Sequence, residues 1–133
     1  MSNQELLIVR GLPGAGKSTF AARLADCLRP QFFTHIETDM YFMRGGSYKF
    51  IPEQLAVAHT WAQRWCRDEL TDGDSVIISN TFSRVWEMQP YIDMAKEFSA
   101  KLTVIEVQGD HGNIHNVPEE SINKMKARWE RYP

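Results

Sequence analysis

The sequence predicts one α/β domain, spanning residues 1–133, with a mainly parallel sheet. Three observations carry that expectation. Four short β-like runs alternate with four helical patterns; two of the runs are apolar without interruption, as strands covered on both faces are; and a glycine-rich loop joins the first of these to an amphipathic helix. A chain of this length buries about two-thirds of the surface its unfolded form exposes, enough for a core of its own.

The elements follow in order. Glu5 to Arg10 (ELLIVR) is the first apolar strand and ends at Gly11. A helix starts near Lys17, with Phe20, Leu24 and Leu28 recurring every four residues, and Pro30 stops it. Phe32 to Thr38 reads as a second strand that delivers Asp39. From Pro52 to Leu70 a helix is marked by Leu55, Ala58, Ala62, Trp65, Cys66 and Glu69, and the turn Asp72-Gly73-Asp74 ends it. Ser75 to Ser79 (SVIIS) is the second buried strand, and Trp86 to Phe98 a helix with Pro90 in or near its first turn. Leu102 to Val107 forms the last strand. A last helix is expected from about Pro118 to Tyr132, with Glu119 and Glu120 at its positive end. Between these two, Gln108 to Val117 is a polar loop.

The most specific local signal is Gly11-Leu12-Pro13-Gly14-Ala15-Gly16-Lys17-Ser18, which matches GxxxxGK(S/T) at every fixed position. Its place between a strand and a helix is the one this loop needs, because loop N–H groups and the helix N-terminus then converge on phosphate oxygens. Gly11, Pro13, Gly14, Ala15, Gly16, Lys17, Ser18 and Thr19 are therefore the candidate nucleotide contacts. Lys17 supplies a compact cation for the β and γ phosphates, Ser18 a hydroxyl for Mg²⁺, and Thr19 a donor for the α phosphate. The cofactors expected are ATP and Mg²⁺.

With that loop in place, the chain resembles small P-loop kinases: the phage and bacterial polynucleotide 5′-kinases and the AAA-type, kinase-like ATP-binding domain of some larger animal proteins. The resemblance rests on GLPGAGKST (11–19), TDMYF (38–42), YKFIPEQLAVAHTWA (48–62), VIISNT (76–81), WEMQPY (86–91) and IHNVPEESINKMKARWE (114–130). It implies a three-layer sandwich of the P-loop NTPase type with sheet order 2-3-1-4. It also implies transfer of the γ phosphate of ATP to a hydroxyl, the 5′-OH of a nucleic-acid end; a small nucleoside, sugar or antibiotic acceptor is an alternative consistent with the acidic balance of the chain. A nucleotide-binding module with weak or no transferase activity is the alternative from another class.

The same resemblance assigns roles. Asp39 matches the aspartate that accepts the proton of the attacking hydroxyl, against a plain reading as a carboxylate capping a turn. Asn80 matches a position that is usually Asp and orients a water of the Mg²⁺ shell; an amide oxygen can still do so, without charge. Related kinases carry arginines in a lid that here, at Gln108 to Val117, is short and arginine-free. Arg44, Arg84, Arg128 and Arg131 are substitutes, and Arg128 is preferred because it shares a helix face with Lys124 just after the lid. The plain reading of that pair is a solvated basic face.

Other features exclude functions. Fifteen Lys plus Arg against seventeen Asp plus Glu give a net charge of −2, so no global positive field exists to coat a long duplex, and a nucleic-acid end would be held locally. Cys27 and Cys66 form no C-x-x-C pair and read as buried thiols of a reducing compartment. With no signal peptide or apolar span in view, a cytoplasmic setting without membrane contact is expected. His111 and His115 lack a third ligand for a metal. The four tryptophans read mainly as core, while Tyr41, Arg44 and Tyr48 are better placed for substrate contact. Oligomeric state is not written in these residues.

Overall fold

The computed structural model describes residues 3–28, 33–109 and 117–132. Four parallel strands form one sheet in the order β2-β3-β1-β4: β2 is Phe33–Ile36, β3 Ser75–Asn80, β1 Glu5–Arg10 and β4 Lys101–Glu106. In register, Ile8 of β1 lies between Ile78 of β3 and Val104 of β4. Successive side chains of a strand point to opposite faces, and β1 uses both. Leu6 and Ile8 join Ala62, Cys66 and Leu70 of α2 (Leu55–Thr71) and Met88 and Tyr91 of α3 (Val85–Glu97) in one core. Leu7 and Val9 join Ala21, with Leu24 and Ala25 packed against them, of α1 (Lys17–Cys27) in the other. The result is the three-layer sandwich expected. Its strands all end on one edge, where open α/β sheets bind ligands.

Several elements depart from the expectation. The chain does not stay extended to Thr38; it turns into a 3₁₀ helix over Thr38–Met43, followed by a second over Pro52–Gln54. Pro90 lies inside α3 and not in its first turn. The last helix, α4, covers only Glu119–Ala127, so Arg128 is its C-cap and Lys124 pairs with Glu120 at 3.6 Å. Cys66 is buried, its thiol pKa pushed up to about 12 by burial, whereas Cys27 is exposed on the outer side of α1. Among the tryptophans Trp61 and Trp65 pack against the core, while Trp86 stands 73% exposed. His111 and His115, with the middle of the Gln108–Val117 loop, lie outside the described residues.

The C-terminal segment folds back onto the end of β1. The Arg10 guanidinium is buried there; its Nε and Nη2 donate to Phe82 O at 3.1 and 2.6 Å, and Nη2 also donates to Glu130 O at 2.7 Å. The Trp129 ring covers it, 4.1 Å from ring centroid to guanidinium carbon. Burial lowers the Arg10 pKa, and Glu106, Glu130 and Glu87 oppose that. The Glu130 carboxylate accepts the Val85 N–H at 2.9 Å, a negative group at the positive end of α3.

Candidate active site

The phosphate loop starts where β1 meets β4. Gly11 is required by close approach, since a Cβ there would stand 2.8 Å from the Val107 carbonyl oxygen. Gly14 and Gly16 have φ of 86° and 90°, the left-handed region that side chains disfavour. Gly16 is the N-cap of α1, so Lys17 and Ser18 enter the site from the first turn of that helix. The Lys17 ammonium is partly withdrawn from water; burial lowers its pKa, and Glu37 and Asp39 push it back up. These two carboxylates flank Thr38 at the turn after β2, and the lysine lies within the field of both.

Three hydrogen bonds fix that turn. Asn80, at the end of β3, accepts the Thr38 N–H through Oδ1 at 3.0 Å and donates through Nδ2 to Thr38 Oγ1 at 2.8 Å. Thr38 Oγ1 in turn lies 3.3 Å from Nδ1 of His59 on α2, whose pKa burial lowers. A neutral imidazole can accept the threonine proton there, which completes the chain of partners. Beyond the turn, the Tyr48 phenol hydrogen-bonds to Asp39; burial and that carboxylate both raise the phenol pKa. On the other side, the Ser18 hydroxyl donates to Glu37 Oε1.

Lys17, Ser18, Asp39 and Asn80 thus gather on one edge of the sheet, with Asn80's amide engaged on Thr38. Arg128 joins a different group: its Nε donates to Ser83 Oγ at 3.0 Å, within the docking of the C-terminal segment. Arg84 pairs with Glu130 at 3.7 Å, and Arg44 stacks on Tyr41, 3.9 Å from its ring centroid. Thr19 is exposed on α1. A cavity of about 200 Å³ lined by Arg10, Val104, Glu106 and Tyr132 belongs to the C-terminal docking region, and no phosphate-loop side chain lines it. Sequence reasoning missed Glu37 and His59. Among the described residues no three His, Cys, Asp or Glu side chains converge on a metal position. The hard oxygens of Ser18 and Glu37 are a donor set suited to a Mg²⁺ that keeps waters and phosphates as its other ligands.

A family model described as an AAA domain matches residues 6–132, from the first core residue of β1 through the docked C-terminal segment. The chain belongs to the AAA domain family. This AAA domain is 33% identical over 137 residues to the human NEDD4-binding protein 2, covering 96% of the chain and 8% of that much longer protein. Among solved structures, it is similar to a chain of the Pnkp1/Rnl/Hen1 RNA repair complex, with a TM-score of 0.63, 22% identity, and 94% of this chain and 37% of that one covered. It is also similar to Chaetomium thermophilum Kti12 in complex with ADP-AlF3, with a TM-score of 0.72, 17% identity, and 95% and 80% covered. At these identities the structures establish the fold, that of a small P-loop kinase-like domain. No helix of the described residues in this AAA domain is long and apolar enough to cross a membrane.

Proposed function

We propose that this chain is an ATP-dependent phosphotransferase that moves the γ-phosphoryl group of ATP to a hydroxyl, with the 5′-OH of a nucleic-acid end as the acceptor. The observation that carries the reading is the pairing of a phosphate loop with a carboxylate already engaged by a hydroxyl: Asp39 accepts from the Tyr48 phenol while lying within the field of Lys17. An acceptor hydroxyl taking the phenol's place would be aimed from that side. Its oxygen attacks the γ phosphorus, the bond to the β–γ bridging oxygen breaks, ADP leaves, and the hydroxyl proton passes late to Asp39. Lys17 and the loop N–H groups stabilise the phosphate charge, and Asn80 and His59 hold Thr38 so that Asp39 keeps its direction. When bound, Mg²⁺ would neutralise phosphate charge, and Ser18 would be among the groups that hold it. The nucleic-acid acceptor is supported by the family resemblance and by the likeness to a chain of an RNA repair complex. The setting proposed is cytoplasmic, in keeping with the free thiols.

A second reading, a nucleotide-binding module with weak transfer, is favoured by one arrangement: Tyr48 occupies Asp39, and Arg44, Arg84 and Arg128 are engaged elsewhere. Transfer from labelled ATP to 5′-OH oligonucleotides, to nucleosides and sugars, and to water distinguishes the two. Transfer to oligonucleotide ends is expected, and Asp39→Asn should lower its single-turnover rate by about 10² or more while ATP affinity holds. Labelling of small acceptors alone moves the substrate class. ATP binding without transfer to any acceptor leaves the binding module.

A further inference from the structure

We infer that Glu37 supplies the carboxylate of the magnesium site, the place for which related kinases use a carboxylate at the position of Asn80. This rests on the ATP-dependent reading above. The sequence pattern puts an amide at the end of β3, and the structure commits that amide to the N–H and the hydroxyl of Thr38. The hydroxyl that the phosphate loop offers to a cation is meanwhile bonded to Glu37 from the neighbouring strand end. The carboxylate two residues before Asp39 is therefore already bonded to the loop hydroxyl, while the end of the third strand contributes no charge.

The charge count around Glu37 makes the case stronger. Its side chain is only 18% exposed, and a withdrawn carboxylate is costly without a counter-charge. The ring Nε2 of His35 is 3.8 Å from Oε2, beyond hydrogen-bond reach, and that nitrogen has no hydrogen-bond partner. Lys17 is the cation in its field, and it is shared with Asp39. When the β and γ phosphates take Lys17, Glu37 faces several added negative charges with no cation of its own. A divalent cation shared by the phosphates and the carboxylate would relieve that repulsion. Glu37 thereby acts twice, adding affinity for the metal–nucleotide complex and opposing the nucleotide alone. Removing it should separate these effects.

The test is calorimetric titration of a β,γ-imido analogue of ATP into wild-type protein, Glu37→Gln and Glu37→Asp, each in magnesium chloride and in EDTA. Wild-type protein should bind more tightly with magnesium. Glu37→Gln, which retains the shape and an acceptor for Ser18, should lose about 10-fold or more of that magnesium-dependent gain, the scale seen when groups supporting a metal are removed. Its affinity in EDTA should be unchanged or higher, and Glu37→Asp should retain more of the gain than Glu37→Gln. A melting curve for each variant establishes folding, and if Glu37→Gln has no transition, Glu37→Ala takes its place: a full magnesium-dependent gain in that variant overturns the assignment. Equal losses with and without magnesium, or a full gain in Glu37→Gln, overturn Glu37 while leaving nucleotide binding intact. Wild-type protein that binds the analogue in neither buffer overturns the ATP-dependent reading itself, and Glu37 with it.

Discussion

Replacing Arg10 with methionine keeps a long, unbranched chain in the core and removes the guanidinium that ties three segments together. Two of its N–H groups reach the carbonyl of Phe82, a residue 3% exposed, and one reaches the half-buried Glu130 carbonyl. Leaving the first carbonyl without a donor costs about 1–3 kcal/mol, and the second somewhat less because water can reach it. Loss of the cation over Trp129 adds about 0.5–2 kcal/mol. Set against these is the release of a buried charge whose lowered pKa shows that burial disfavours it. The net should be a loss of about 3–5 kcal/mol, the range found when one partner of a buried charged network is deleted. That is a large share of the stability of about 5–15 kcal/mol of an ordinary domain. Urea unfolding followed by tryptophan fluorescence measures it, with Arg10→Lys as the control that keeps charge but not the planar fork. A loss below about 1 kcal/mol, or an Arg10→Lys variant as stable as wild type, would refute the reasoning.

Gly11→Ala should cost about 1–3 kcal/mol and weaken ATP, because its Cβ would stand 2.8 Å from the Val107 carbonyl oxygen, a backbone atom that cannot swing aside, and 3.3 Å from Ala15 Cβ; denaturant unfolding with calorimetry checks both effects. The pH dependence follows from His59, whose folded pKa lies below its unfolded value of about 6.5 because it is buried. Above that value the ring is neutral in both states; below it the unfolded chain takes up a proton that the folded chain resists, so stability is full at neutral pH and falls as the solution is acidified. His35 is shifted in the same direction. Melting temperature should therefore drop on going from about pH 7 to about pH 5.5, with a shallower slope in His59→Gln.

The parts of the molecule legible in the sequence are those set by local pattern. β1 and β3 announce themselves as apolar runs, and the phosphate loop is specified by residue types that a tight turn and a phosphate both demand. The order 2-3-1-4 came through resemblance, since hydrophobic period says nothing about which strand pairs with which. Glu37 was hidden because its partner, Ser18, is nineteen residues away, and because the resemblance points to the end of the third strand for a metal carboxylate. Arg10 read as the polar end of a strand; its partners are carbonyls at separations of 72 and 120 residues, and a carbonyl carries no sequence signature. Thr38–Met43 lacks any period long enough to reveal a 3₁₀ turn. The Lys124 and Arg128 spacing suggested one helix face, yet the helix ends at Ala127, where cap geometry replaces periodicity.

The central place of β1 also sets the order in which the chain can complete itself during synthesis. Leu6 pairs with Val76 on one side and Leu102 on the other, so its strand waits until β3 and β4 have also emerged from the ribosome. Until then four consecutive apolar residues, Leu6 to Val9, have no sheet to join. Parallel pairing over such separations is slow because loop closure must come before any contact rewards it. The segment that leads into the phosphate loop is therefore made before the strands that complete it, and during that interval its apolar residues need protection from other hydrophobic surfaces.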